Sequence, residues 1–183
     1  MSSAAARQFV SFEDYLALED ASTVKHEYVG GVLYAMTGAR TSHNRMVTRV
    51  VEALLPAGRA AGCDVFIADE KLKVGDLVSY YPDVMVCCDP SDDDEQFRTS
   101  PCLVVEVLSP GTAAVDRREK LNTYLALPSL LTYLMIDPEE PMIEAHIRAT
   151  PTTAWAHETY GLDGHILLPC PVVALTVLDL YPS

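Results

Sequence analysis

Positive charge is scarce in this chain of 183 residues: 13 Lys and Arg stand against 26 Asp and Glu, for a formal net charge of −13. Binding to a phosphate backbone draws on Lys and Arg displacing condensed counterions. The shortage therefore argues against tight nonspecific affinity for nucleic acid, while a local basic patch stays open. No apolar run is long enough to span a bilayer, and no apolar segment follows Met1–Arg7 as a signal peptide would need. A cytoplasmic location with no membrane contact is expected. Repeats, linkers and low-complexity tracts are missing too, so one domain over residues 1–183 is the expectation. The five cysteines, Cys63, Cys87, Cys88, Cys102 and Cys170, are odd in number and lack zinc-site spacing, and they are read as reduced core residues.

What is present is enough apolar material for a full core: 49% of residues are hydrophobic and the mean hydropathy is +0.12. Ser11 can cap a short helix reaching Leu18, and residues 25–36 read as a hairpin turning at Gly30-Gly31. From Thr41 or Ser42, Val47, Val50, Val51, Leu54 and Leu55 recur with helical spacing, and Pro56 is expected to end or kink that helix. Strands are predicted near 63–68, 70–74, 81–88 and 102–108. A helix opens at Thr112 and runs to about Leu127, with Leu121, Tyr124 and Leu125 inward. Strands at 130–136, 143–147 and 153–159 follow.

Two acids stand out because they interrupt apolar strands: Asp83 in Tyr81-Pro82-Asp83-Val84-Met85-Val86, and Glu106 in Leu103-Val104-Val105-Glu106-Val107-Leu108. A continuous Val/Leu run marks a strand covered on both faces, where an unpaired carboxylate is costly. Something cationic must meet Glu106. Two acids on neighbouring strands can converge on a hard cation such as Mg2+ or Mn2+ and give a site able to activate water.

These residues, with Glu106-Val107-Leu108-Ser109-Pro110, Asp116-Arg117-Arg118-Glu119-Lys120-Leu121 and Tyr124, and Tyr133 through Pro138, resemble the Uma-type family classed among bacterial restriction endonucleases. That family belongs to the PD-(D/E)XK nuclease superfamily. The resemblance runs from Phe12-Glu13-Asp14-Tyr15-Leu16, through His26 to Gly31, to the C-terminal tail. It implies an α/β fold: a restriction-endonuclease-like mixed central sheet flanked by helices, with an N-terminal hairpin and extra C-terminal strands. It also implies metal-dependent hydrolysis of phosphodiester bonds in DNA, with Asp83 and Glu106 holding Mg2+ or Mn2+.

One departure is plain. The superfamily pattern places a lysine two residues after the strand acid, and Leu108 stands there. Counting along the strand and back along the next helix, Glu106 and Lys120 reach the same level, roughly 10 Å against roughly 12 Å. Lys120 is thus the candidate for the missing lysine and Arg117 the reserve; a solvent-facing Lys120 paired with Asp116 is the competing reading. Glu27 matches a family acid and is a candidate third ligand or holder of a metal-bound water, against a plain strand-face charge beside Lys25. His43 matches a family histidine and is a candidate for phosphate contact or proton transfer, against an ordinary surface residue in a helix's first turn.

Lys25, Arg40, Arg45, Arg49, Arg117, Arg118 and Lys120 are expected to group around this site, against a reading as ordinary solubilising charges, and Asp92-Asp93-Asp94-Glu95 reads as a solvated loop. The alternative to a nuclease is a catalytically inactive relative that keeps the fold as a binding or assembly module, which the acidic charge and Leu108 favour. A metal-dependent small-molecule hydrolase is a third reading. A homodimer is expected, partly from the superfamily and partly from the apolar segment Val172–Leu178.

Overall fold

The computed structural model describes residues 9–109 and 116–181. Its centre is a six-stranded sheet in the order β10-β9-β8-β7-β6-β3. These strands are β3 (Asp64–Ile67), β6 (Val84–Cys87), β7 (Pro101–Val107), β8 (Thr132–Ile136), β9 (Ile143–Ile147) and β10 (Ala156–Tyr160). The β7–β8 pair is parallel and its neighbours are antiparallel, so the sheet is mixed. Every residue of β7 and β8 is buried, as expected for central strands made of continuous apolar runs.

Alternation along β7 divides the core in two. Leu103, Val105 and Val107 face α2 (Thr41–Ala60), which lays Met46, Val50 and Leu54 against the sheet. The same layer takes Ile166, Leu168 and Leu175 from the hairpin β11 (His165–Pro169) and β12 (Val172–Thr176), and Val177 and Leu180 from the short α4 (Val177–Leu180). Val104 and Leu108 face the other way, toward Tyr124 of α3 (Leu121–Leu125), Tyr133 and Leu130.

A second, four-stranded sheet borders that other layer in the order β2-β1-β5-β4, from β1 (His26–Val29), β2 (Val32–Ala35), β4 (Leu72–Val74) and β5 (Val78–Tyr80). The N-terminal hairpin turns at Gly30 and Gly31, whose φ values of 57° and 83° suit a tight turn that matches strand twist. A Cβ on Gly31 would also strike the Phe9 ring. Before the hairpin, α1 (Phe12–Ala21) is capped by Ser11, whose side chain accepts from Asp14 N at 3.1 Å.

Several boundaries differ from the sequence reading. Asp83 lies in a bend just ahead of β6, because Pro82 offers no N–H to a strand ladder. Strand β5 was not anticipated; at three residues it is too short for a readable alternation. Pro56 sits inside α2, which continues to Ala60. Thr112, the expected start of the next helix, lies outside the described residues; the described part opens as a π-helical segment, Asp116–Lys120, leading into α3.

The cysteines are a correction. Cys63 is bonded to Cys88 and Cys102 to Cys170, and Cys87 alone keeps a free, buried thiol. The partners are 25 and 68 residues apart, a proximity created only by the sheet and the C-terminal hairpin.

Candidate active site

Val84 pairs with Val105, so the next step of the antiparallel register sets Asp83 opposite Glu106. Opposed residues share a face. The backbone enforces the approach: Val107 N donates to Asp83 Oδ2 at 2.7 Å. His43 Nε2 lies 3.1 Å from the same oxygen. His43 belongs to the first turn of α2, where the helix's positive end also favours a carboxylate. Among the described residues, no hydrogen bond reaches Asp83 Oδ1.

Glu106 is 4% exposed, and its charge is met from one helix. Lys120 Nζ donates to Glu106 Oε1 at 3.1 Å, and Tyr124 OH donates to that oxygen at 2.9 Å. Lys120 and Tyr124 are four residues apart, hence on one side of the helical segment. Lys120 Nζ also lies 2.8 Å from Glu27 Oε1 on β1 and 5.3 Å above the ring of Tyr80 on β5. Lys120 is 5% exposed, and two carboxylates and an aromatic face stand around its ammonium in place of solvent.

Burial, reinforced by the neighbouring Glu106 carboxylate, pushes the Tyr124 hydroxyl well above its ordinary range. Tyr80 is likewise raised, first by burial. Both phenols therefore stay protonated, and Tyr124 stays a donor, at any physiological pH.

All five residues singled out in the sequence, Glu27, His43, Asp83, Glu106 and Lys120, thus meet at one place, where β1, the start of α2, the entry to β6, the end of β7 and the π-helical segment converge. Two other basic residues of the sequence group are engaged elsewhere. Arg49 Nη1 donates to Leu180 O at 2.9 Å and ties α2 to α4. Lys25 lies 3.8 Å from Asp69. The side chain of Arg117 lies outside the described residues.

Tyr124 and Tyr80 were not foreseen as part of the site. Tyr124 had been placed inward, and its i, i+4 relation to Lys120 is the signal that links it to Glu106. A second buried acid, Glu19, was missed: it accepts from His26 N at 2.7 Å and from Tyr81 OH at 2.9 Å. That bond anchors the stretch leading to Pro82 and Asp83.

The sequence profile of the Uma2 family, described as "Putative restriction endonuclease", matches residues 12–180. The chain belongs to the Uma2 family. Two relatives come from Synechocystis sp.: uncharacterized protein slr1290, 37% identical over 139 residues (75% of this chain, 73% of the relative), and uncharacterized protein sll1609, 31% identical over 137 residues (73% and 77%). The crystal structure of a "putative nuclease belonging to DUF820" from Anabaena variabilis superposes with a TM-score of 0.75 at 18% identity, covering 94% of this chain and 97% of that one. This likeness establishes the shared fold. The restriction-endonuclease-like architecture expected from sequence is the one observed, and membership of the Uma2 family places the chain among nucleases in general terms.

The donor set suits a hard divalent cation. Two carboxylates on one face, one of them with an oxygen left unbonded by the described residues, supply the oxygen ligands that Mg2+ or Mn2+ takes.

Proposed function

We propose that this chain is a metal-dependent endonuclease that hydrolyses phosphodiester bonds of DNA, with the whole chain acting as one nuclease domain. The observation that carries the reading is Glu106, a carboxylate buried in a central strand, held by Lys120 and Tyr124 and set opposite Asp83. A purely structural acid at that position would be replaceable by an apolar residue at little cost or with a gain.

Asp83 and Glu106 would hold Mg2+ or Mn2+, and the bound cation would lower the pKa of a water and offset charge developing on the phosphate. Lys120 takes the place of the lysine absent at position 108. Its ammonium lies beside Glu106, where it orients the attacking water and adds positive charge. Glu27 fixes Lys120 from β1, so that the ammonium is aimed before substrate arrives. His43, 3.1 Å from Asp83 Oδ2, would contact the phosphate or move a proton.

The test is cleavage of supercoiled plasmid at low salt with Mg2+ or Mn2+, combined with melting of the protein in the same buffers. Nicked or linear product from the unaltered chain, lost in Asp83→Asn and Glu106→Gln, supports the reading. Metal should also raise the melting temperature, and each variant should lose most of that rise. The net charge of −13 favours one alternative, an inactive relative used for binding or assembly. Metal-dependent stabilisation without any cleavage would select it.

A further inference from the structure

At the end of β6 and β7 remote from Asp83 and Glu106, sulfurs from four separate stretches of chain come together. Cys63 precedes β3, Cys88 follows β6, Cys102 is the second residue of β7, and Cys170 lies in the turn between β11 and β12. Cys88 Sγ is 3.4 Å from Cys170 Sγ and 3.6 Å from Cys102 Sγ, so the two disulfides touch. The sulfurs of Cys63, Cys88 and Cys170 all lie within 4.8 Å of one another. The four residues of β6 separate Cys88 from Asp83, five steps or roughly 16 Å at strand rise, so this cluster is distinct from the proposed hydrolytic site.

Simple alternation would not produce it. Cys102 should share a face with Val104 and Glu106, yet it packs with Leu103 and Val105 on the α2 side. The cause is a register shift where Val86 pairs with Leu103 and Cys87 with Pro101, an irregularity of the kind that re-aims a side chain. Cys87 is left facing the opposite layer with Met85 and Tyr124, outside the cluster. Cys63 and Cys102 are buried, and Cys88 and Cys170 are half-buried, which leaves a path for an ion.

Three sulfurs that lie within 4.8 Å of one another, with Cys102 Sγ bonded to one of them and 3.6 Å from another, suit one cation once the disulfides open and Cys102 closes toward Cys63. Tetrahedral Zn2+ with Zn–S bonds of about 2.3 Å sets its sulfurs about 3.8 Å apart, close to the two contacts between the disulfides. We propose that in its reduced form the chain binds one Zn2+ through Cys63, Cys88, Cys102 and Cys170. The site clamps the β11–β12 hairpin to the end of the central sheet, and the two disulfides are the metal-free, oxidised form of the same cluster.

The interconversion balances. Each disulfide takes two electrons and two protons from a dithiol, which itself becomes a disulfide. The four resulting thiols release four protons as they take up Zn2+ as thiolates. Oxidation by a small-molecule disulfide reverses the electron transfer and expels the ion. Ligand spacing in the sequence is irrelevant here, because the sheet and the hairpin, and no local loop, bring the sulfurs together.

The experiment is an anaerobic titration of Co2+ into the full chain after reduction with a phosphine. A folded, reduced chain should develop thiolate-to-cobalt charge transfer and tetrahedral d–d absorption that saturate at one ion per chain. One equivalent of Zn2+ should erase them and excess Mg2+ should not. Cys88→Ser and Cys170→Ser should each lose the signature, while Cys87→Ala, Asp83→Asn and Glu106→Gln keep it. The oxidised chain, lighter by four hydrogens, should give none. A folded, reduced, unaltered chain without a thiolate–cobalt spectrum overturns the proposal whatever the variants do. So does a spectrum that persists in both serine variants, or disulfides that resist the phosphine until the chain unfolds.

Discussion

Lys120 meets Glu106 at 3.1 Å although fourteen positions separate them in sequence, because the π-helical segment Asp116–Lys120 lies over the same face of the sheet as Glu106. In the proposed active site the ammonium comes from a different element than the strand that carries the acid. A wider helical turn is a recurrent device for re-aiming one side chain.

Replacing that ammonium separates chemistry from metal binding. Lys120→Met should lower cleavage by at least about 100-fold, the size typical of losing one preorganised charge. Metal-induced stabilisation should persist, since removing Lys120 leaves Glu27 and Glu106 with only a cation to relieve their repulsion. Parallel cleavage assays and melting curves decide it; a variant that cleaves like the parent removes Lys120 from the mechanism.

Tyr124 supports Glu106 from inside the core. Tyr124→Phe deletes a buried donor to a buried carboxylate at nearly constant shape, and should cost about 1–3 kcal/mol in urea unfolding. An unchanged midpoint would mean that Glu106 finds a replacement partner.

Stability should fall on mild acidification through His146. It is buried between Tyr133 and His157, with the two imidazoles stacked 4.4 Å apart. Burial first, and then the neighbouring His157, push its pKa below the ordinary 6.5, with Glu144 opposing. The unfolded imidazole therefore binds a proton more readily than the folded one. This contribution is fully present above about pH 6.5 and is lost as the pH falls through and below it. Urea midpoints across that range should decline more steeply in the parent than in His146→Gln; equal slopes would assign the decline to other groups.

Much of this was legible beforehand, for reasons particular residues make clear. The Val/Leu runs around Asp83 and Glu106 fixed two adjacent strands, and the Gly30-Gly31 pair fixed the hairpin that carries Glu27. What escaped depends on long-range geometry. A three-residue strand such as Val78–Tyr80 carries no periodicity, a π turn breaks the 3.6-residue count, and the register shift at Val86 gives Cys102 a face its position denies. The Glu19–Tyr81 bond spans 62 residues and leaves no local trace.

The chain should dimerise through its C-terminal hairpin. Leu167 and Val172 are 69% and 78% exposed on the outward face, while Ile166, Leu168 and Leu175 fill the core behind them. Light scattering at micromolar concentration should give twice 20.0 kDa, and Leu167→Glu with Val172→Glu should return it to the single-chain mass. A single-chain mass for the parent would reject the dimer.

The most direct measurement is a crystal soaked in Mn2+ and examined for anomalous scattering. The proposed active site predicts a peak at coordination distance from both Asp83 and Glu106, with Lys120 still beside Glu106. Full Mn2+ occupancy elsewhere in the crystal, with no peak at those two carboxylates, would contradict a metal-dependent nuclease at this place.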